Sequence, residues 1–192
     1  MRQLLSQRPI VVALAGPNGA GKSTFYGTYL RSSGLRFVNA DVIAKELGAD
    51  PYKAAGLADE LRRQLVALRA SFIFETVFSD PVGDRLGFLK QAEESGYTAV
   101  LIFIGIDGPS TSDQRVAMRV LKGGHDVPAE KIVERYPRVM SNLKRALVEI
   151  GNVVVYDHSD LDAGYRLVAT REGGKPVELH GTTPEWLRLL LP

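Results

Sequence analysis

The 192-residue chain has no cysteine and only three histidines. The first absence excludes disulfides, thiolate nucleophiles and Cys-based zinc sites. The second leaves His125 with no second ligand nearby, so a His-built metal site is not expected. Lack of cysteine also fits a reducing compartment. An excess of charge of one sign is missing too. Lys and Arg number 24 against 22 Asp and Glu, a formal net charge of +2. So even a balance gives no reason to expect nucleic acid or a membrane surface as partner. No apolar run approaches the ~20 residues that span a bilayer. The longest, "AVLIFIGI" (Ala99 to Ile106), reads as a buried strand. The first residues, "MRQLLSQRPIVVALAG", imitate a secretory leader, but their apolar part is short and leads straight into a Gly-Lys-Ser turn. The expectation is a soluble, cytoplasmic protein without nucleic-acid or membrane partners. Repeats, low-complexity tracts and linkers are also lacking, so residues 1–192 read as one domain.

What is present alternates. Ile10 to Ala15 is a first strand, apolar throughout as a strand buried on both faces should be. A helix is expected over Lys22 to Ser32, then a strand in "RFVNAD" ending near Asn39. Helices follow over Asp41 to Leu47 and Pro51 to Arg69, the second started by the Asp50-Pro51 pair. "SFIFET" is a third strand, and Asp80-Pro81 should start a helix that runs to Ser95. "YTAVLIFIGI" is a fourth strand. Helices over Pro109 to Lys122 and Pro128 to Ile150 flank Gly123-Gly124, and Pro137 should kink the second. Val153 to Asp157 is a fifth strand. "YRLVATREGGKPVELH" reads as a hairpin turning at Gly173-Gly174, and Pro184 to Leu191 is a short amphipathic segment. Alternating strands and helices imply an α/β architecture with a parallel sheet covered on both faces.

The stretch "GPNGAGKST" satisfies GxxxxGK[ST] through Gly16, Gly21, Lys22 and Ser23, directly after the first strand. Glycines let consecutive backbone N–H groups curl around phosphate oxygens, and the following helix presents its N-terminus to the same anion. Gly16, Pro17, Asn18, Gly19, Ala20, Gly21, Lys22, Ser23 and Thr24 are therefore candidate nucleotide-binding residues. Lys22 would reach the β- and γ-phosphates, and the Ser23 hydroxyl would ligate Mg²⁺. The string looks like that of ABC-transporter ATPases. Such a domain also needs an LSGGQ-type signature and an apolar strand ending in Asp-Glu, and neither is here.

A small-molecule kinase needs a carboxylate to take the acceptor's proton, cations over the migrating phosphoryl, and an acceptor pocket. Asp41 ends "FVNAD", where ligands gather at the carboxyl ends of parallel strands, and it is the candidate base. It could equally cap the helix "VIAKEL". Glu75 and Thr76 end "FIFET"; Glu75 could hold a Mg²⁺-bound water or an acceptor hydroxyl, since Asp80 serves the next helix cap. Arg115 and Arg119 share one face of the helix over 109–122. With Gly123-Gly124, Arg135 and Arg138 they read as a basic, hinged lid over about 109–138; a solvated charged face is the plainer alternative. Tyr156 stands where a nucleotide base or core packing could use it.

Together, "GPNGAGKST", "FVNADVIAKEL", "SFIFETVFSD" and "RVAMRVLKGGHDVPAEKIVERYPRVMSNL" resemble the zeta-toxin family of P-loop kinases, above all its short members, over about Ile10 to Ala146. The resemblance implies a three-layer P-loop kinase fold with a five-stranded parallel sheet, a helical lid and a small C-terminal hairpin. It implies ATP or GTP with Mg²⁺ as donor, and the 3′-hydroxyl of the amino sugar in UDP-N-acetylglucosamine as acceptor. Asp41 matches the family's base, and Asn39, Glu75 and Thr76 fall on or beside its acceptor-binding positions. Arg115 or Arg119 matches the first lid arginine. The second lid arginine of larger members falls near His125, and the Arg after their Glu-Gly-Thr motif near Ser79. Both departures put the acceptor in doubt. An antitoxin, if the chain has one, would be a separate protein. Rival readings are a kinase for another metabolite, nucleoside or antibiotic, a nucleotide-binding switch without transfer, and a nucleic-acid end kinase. The weak net charge disfavours the last.

Overall fold

The computed structural model describes residues 2–121, 123 and 126–191. Gly124 and His125, at the expected lid tip, lie outside the described residues.

The central strands are the apolar ones. β1 (Ile10–Ala15) pairs in parallel with β3 (Phe72–Thr76) on one side and β4 (Thr98–Gly105) on the other. β2 (Arg36–Val38) extends the sheet beyond β3, and β5 (Asn152–Asp157) beyond β4, all in parallel. Alternate residues of β1 serve two cores: Val11, Ala13 and Ala15 face one, Ile10, Val12 and Leu14 the other. β4 divides the same way, with Leu101 and Phe103 on the first face and Ile102 and Ile104 on the second. Burial on both faces is why β1 is apolar throughout and β4 carries no polar side chain after Thr98.

The first face is covered by α4 (Pro51–Ala67), α5 (Asp84–Glu94), α7 (Ala129–Glu149) and α8 (Glu185–Arg188). They contribute Leu65, Leu89, Leu143 and Leu187 to its core. On the second face Phe25 and Leu30 pack from the segment after the glycine loop. α1 (Arg2–Leu5), α3 (Ala40–Leu47) and α6 (Pro109–Leu121) complete the helices described.

Three expectations are corrected. The sheet has seven strands, in the order β2-β3-β1-β4-β5-β6-β7, where five were expected. The C-terminal hairpin supplies the two additional strands. β6 (Arg166–Arg171) pairs antiparallel with β5, and β7 (Glu178–Leu179) with β6, so the open edge of β5 is satisfied by the hairpin. The helix expected over Lys22 to Ser32 is α-helical only in α2 (Lys22–Phe25). It continues as a π-turn over Tyr26–Leu30 and a 3₁₀ turn over Arg31–Ser33. The wider turn goes with aromatic packing: Tyr26 stacks on Phe37 at 3.7 Å, and Phe25 meets Tyr156 at 5.0 Å. Finally, Asp80 does not cap α5, which begins at Asp84 after Gly83 turns the chain at φ 81°. Both Asp80 carboxylate oxygens are buried without a hydrogen-bond partner among the described residues.

Candidate active site

The site gathers at the carboxyl ends of β1, β3 and β2, and strand register places its parts. Val38 pairs with Phe74, so Asn39 and Glu75 leave adjacent strands at one level. Leu14 pairs with Glu75, so the carboxylate stands two residues before the start of the glycine loop. From there the Ser23 hydroxyl donates to Glu75 Oε2 at 3.0 Å, and Asn39 Nδ2 donates to the same oxygen at 2.9 Å.

The loop between β1 and α2 needs its glycines. Gly16 lies at φ 145°, and a Cβ there would stand 2.2 Å from the Ile104 carbonyl oxygen. At Gly21, φ 89°, a Cβ would meet the Tyr165 hydroxyl at 2.7 Å. Lys22 is buried, and its Nζ donates to the carbonyls of Gly16 and Pro17, both at 3.0 Å. Burial pushes the Lys22 pKa down; Glu75 counters, Arg119 adds to the depression, and Asp41 counters again. The lysine therefore belongs to one electrostatic unit with both candidate carboxylates.

Asn39, not Asp41, caps α3. Its Oδ1 accepts from Asp41 N at 2.7 Å and Val42 N at 3.2 Å. Asp41 thus sits in the helix's first turn with its side chain released from capping, lining a pocket of about 180 Å³. Glu75 and Thr76 line the same pocket, and Thr76 Oγ1 accepts from Phe78 N at 3.1 Å. A larger cleft of about 740 Å³ lies over the glycine loop, lined by Gly19, Lys22, Thr24, Arg115 and Arg119 among others. Glu75 is a wall of both.

Arg115 is engaged in the loop after β5. Its Nη1 donates to the His158 carbonyl and its Nη2 to the Ser159 carbonyl, each at 2.7 Å. Arg135 and Arg138 lie in α7, where Arg138 pairs with Glu134 at 3.2 Å, and neither lines the cleft. Tyr156 packs in the second core.

Sequence reasoning missed two residues at the rim of the loop. His158 Nδ1 lies 2.8 Å from the Ala20 carbonyl oxygen, which can only accept, so Nδ1 carries the proton. Burial pushes the His158 pKa down despite that bond, which favours the neutral ring. Tyr165 stacks on it at 4.0 Å and donates to the Gly21 carbonyl at 2.7 Å. A His directly after a strand's last Asp was the only signal, and a weak one.

A strand, a glycine loop ending in Lys-Ser and a helix, set in this strand order, define an α/β protein of P-loop kinase fold. The AAA domain family matches residues 11–142, well over half of the chain, and the chain belongs to that family. No curated protein sequence matches it. Among solved structures, it is similar to a chain of the AvrRxo1-ORF1:AvrRxo1-ORF2 complex solved with sulphate ions, at 21% identity and TM-score 0.69, covering 93% of this chain and 63% of that one. The same complex solved with ATP gives 20% identity and TM-score 0.68, covering 97% and 64%. This chain thus spans just under two thirds of the length of that relative. The PezAT chromosomal toxin-antitoxin system of Streptococcus pneumoniae gives 17% identity and TM-score 0.55, covering 83% and 71%. A candidate kinase from Chloroflexus aurantiacus gives 17% identity and TM-score 0.57, covering 82% and 95%. At these identities the likeness is one of fold. No helix among the described residues is long and apolar enough to cross a membrane.

Proposed function

We propose that the chain is an ATP-dependent small-molecule kinase of zeta-toxin type, in one domain, passing the γ-phosphoryl to a hydroxyl. One observation carries this reading. The cleft over the glycine loop and the pocket of Asp41 meet at a single carboxylate, Glu75. Donor and acceptor sites that share a wall are what in-line transfer requires.

In this reading the loop N–H groups and Lys22 hold the phosphates. The donor set next to them, a hydroxyl (Ser23) and a carboxylate (Glu75) within 3.0 Å, suits Mg²⁺, which uses one or two protein oxygens beside phosphate and water. Ser23 and Glu75 would hold it, and when bound it would neutralise charge on the phosphates. Asp41 takes the proton of the acceptor hydroxyl. Arg119 supplies positive charge over the cleft, while Arg115 positions the loop after β5. GTP could replace ATP without changing these roles.

The acceptor is a sugar hydroxyl in the finer form of the proposal. UDP-N-acetylglucosamine rests on the match of "FVNAD" and "FIFET" to the zeta-toxin pattern. A separate antitoxin belongs to the same proposal, supported by the fold likeness to a toxin-antitoxin system; a cytoplasmic location fits it. The test is a screen of hydroxyl compounds with labelled ATP and Mg²⁺, UDP-N-acetylglucosamine first. Label appearing on an acceptor supports the proposal. ATP binding without acceptor-dependent turnover would leave a nucleotide switch in its place.

A further inference from the structure

Two side chains from far along the sequence reach the glycine loop, and neither has a task in the proposed transfer. His158 directly follows β5, and Tyr165 directly precedes β6. His158 is 8% exposed, its Nδ1–H donates to the Ala20 carbonyl at 2.8 Å, and its face stacks on Tyr165 with the planes 18° apart. The Tyr165 hydroxyl donates to the next carbonyl, that of Gly21, at 2.7 Å. The pair is itself anchored. Arg115 donates to the carbonyls of His158 and Ser159, and the Tyr165 ring meets Phe25 edge-on at 5.0 Å.

Gly21 makes room for both. A Cβ there would stand 2.7 Å from the Tyr165 hydroxyl and 2.9 Å from His158 Nδ1. This glycine of the phosphate motif is thus required by a contact with a distant part of the chain, besides its φ of 89°. The two carbonyls are not held alike. That of Gly21 also accepts from Phe25 N at 2.9 Å, in the first turn of α2. That of Ala20 stands before the turn, and His158 holds it.

A trans peptide unit is planar, with its C=O and N–H pointing opposite ways. Holding the Ala20 carbonyl toward His158 turns the Gly21 N–H away from that ring. Holding the Gly21 carbonyl does the same for the Lys22 N–H. We infer that His158 and Tyr165 are positioning residues for the phosphate cradle: they fix two consecutive peptide planes so that the N–H groups of Gly21 and Lys22 face the phosphates, and His158 carries the larger share. Donors fixed before the ligand arrives cost less to order on binding. This rests on the phosphate-binding part of the kinase reading and not on transfer.

The test uses the full chain with Mg²⁺. ATP affinity is measured by calorimetry, and inorganic tripolyphosphate is measured beside it because it has no base for the two rings to touch. His158→Phe keeps a ring and loses the donor. His158→Asn keeps a donor at the place of Nδ1 and loses the ring. His158→Phe should weaken ATP and tripolyphosphate alike by about 10-fold, the scale of a hydrogen bond to a charged group. His158→Asn should restore most of that affinity. Tyr165→Phe should cost less, about 2- to 3-fold, because Phe25 N still holds the Gly21 carbonyl. If the His158→Phe protein does not fold, His158→Gln takes its place, since its donor sits one bond farther out. Affinity unchanged in every variant, lost equally in His158→Phe and His158→Asn, or kept with the ring and lost with the donor in place, overturns the positioning role. Loss confined to ATP, or a parent that binds ATP and not tripolyphosphate, overturns it too and makes the rings a base contact. A parent that binds neither ligand overturns the phosphate site and the positioning role together. The expected order of affinities without label transfer to any hydroxyl compound leaves the positioning role standing and overturns the kinase reading alone.

Discussion

Glu75 is the residue on which the two halves of the site meet, and Asp41 is the one on which the chemistry is predicted to turn. Asn39 takes the capping task at α3, so Asp41→Asn removes a base without removing a cap. The variant should lose about 10²- to 10⁴-fold in acceptor phosphorylation, measured by label transfer, with ATP affinity nearly unchanged. An Asp41→Asn protein that transfers normally would sink the assignment. Gly16 makes a different kind of prediction. With a Cβ 2.2 Å from a backbone oxygen and a left-handed φ, Gly16→Ala forces the loop away from β4. It should cost at least ~2 kcal/mol in denaturant melts and weaken nucleotide binding with it. The glycines, Lys22 and Asp41 were legible in the sequence because loop chemistry is written in consecutive residues. Asp59, Arg62 and Arg85, which also line the pocket of Asp41, were not. On α4, "DELRR" looks like any solvated helical face, and only the fold shows Arg62 buried against Phe74.

Among the elements, β5 ends in a carboxylate that ties three of them together. Asp157 accepts from Ser159 Oγ at 2.6 Å, Arg166 Nη2 at 2.8 Å and Trp186 Nε1 at 2.9 Å, joining β5, β6 and α8. Burial pulls its carboxyl upward, but these hydrogen bonds together outweigh burial and hold it below the ordinary carboxylate range. A carboxyl depressed in the folded state stabilises fully above its unfolded pKa of about 4, and that stability is lost as pH falls through the folded value. Acid should therefore release α8, and Asp157→Asn should be less stable at neutral pH with a flatter acid limb. Trp186 is the chain's one tryptophan, so its emission should shift to the red across that limb. An acid limb as steep in Asp157→Asn as in the parent would remove this account. The hairpin itself was legible from Gly173-Gly174, but its pairing with β5 was not, since nothing local to a strand names the edge it will join.

Taken whole, the molecule is a seven-stranded sheet whose middle is buried on both faces, and its stability should concentrate there. Leu101, fully buried in β4, should cost about 2–5 kcal/mol when cut to Ala, read from urea melts. A Leu101→Ala protein within ~1 kcal/mol of the parent would mean that the sheet collapses around the gap. Strand and helix order were legible from alternating apolar runs, because each element's burial is set by its own residues. The contacts that join chain-distant segments were not, and Arg115 is the clearest of these. It fastens α6 to the backbone of residues 158 and 159, and His158 and Tyr165 in turn rest on the carbonyls of Ala20 and Gly21. A helix tethered in this way does not swing over the nucleotide as a free flap. In the kinase reading, movement of α6 would be geared to the shape of the glycine loop, so a phosphate gripped by that loop would also set the angle of α6.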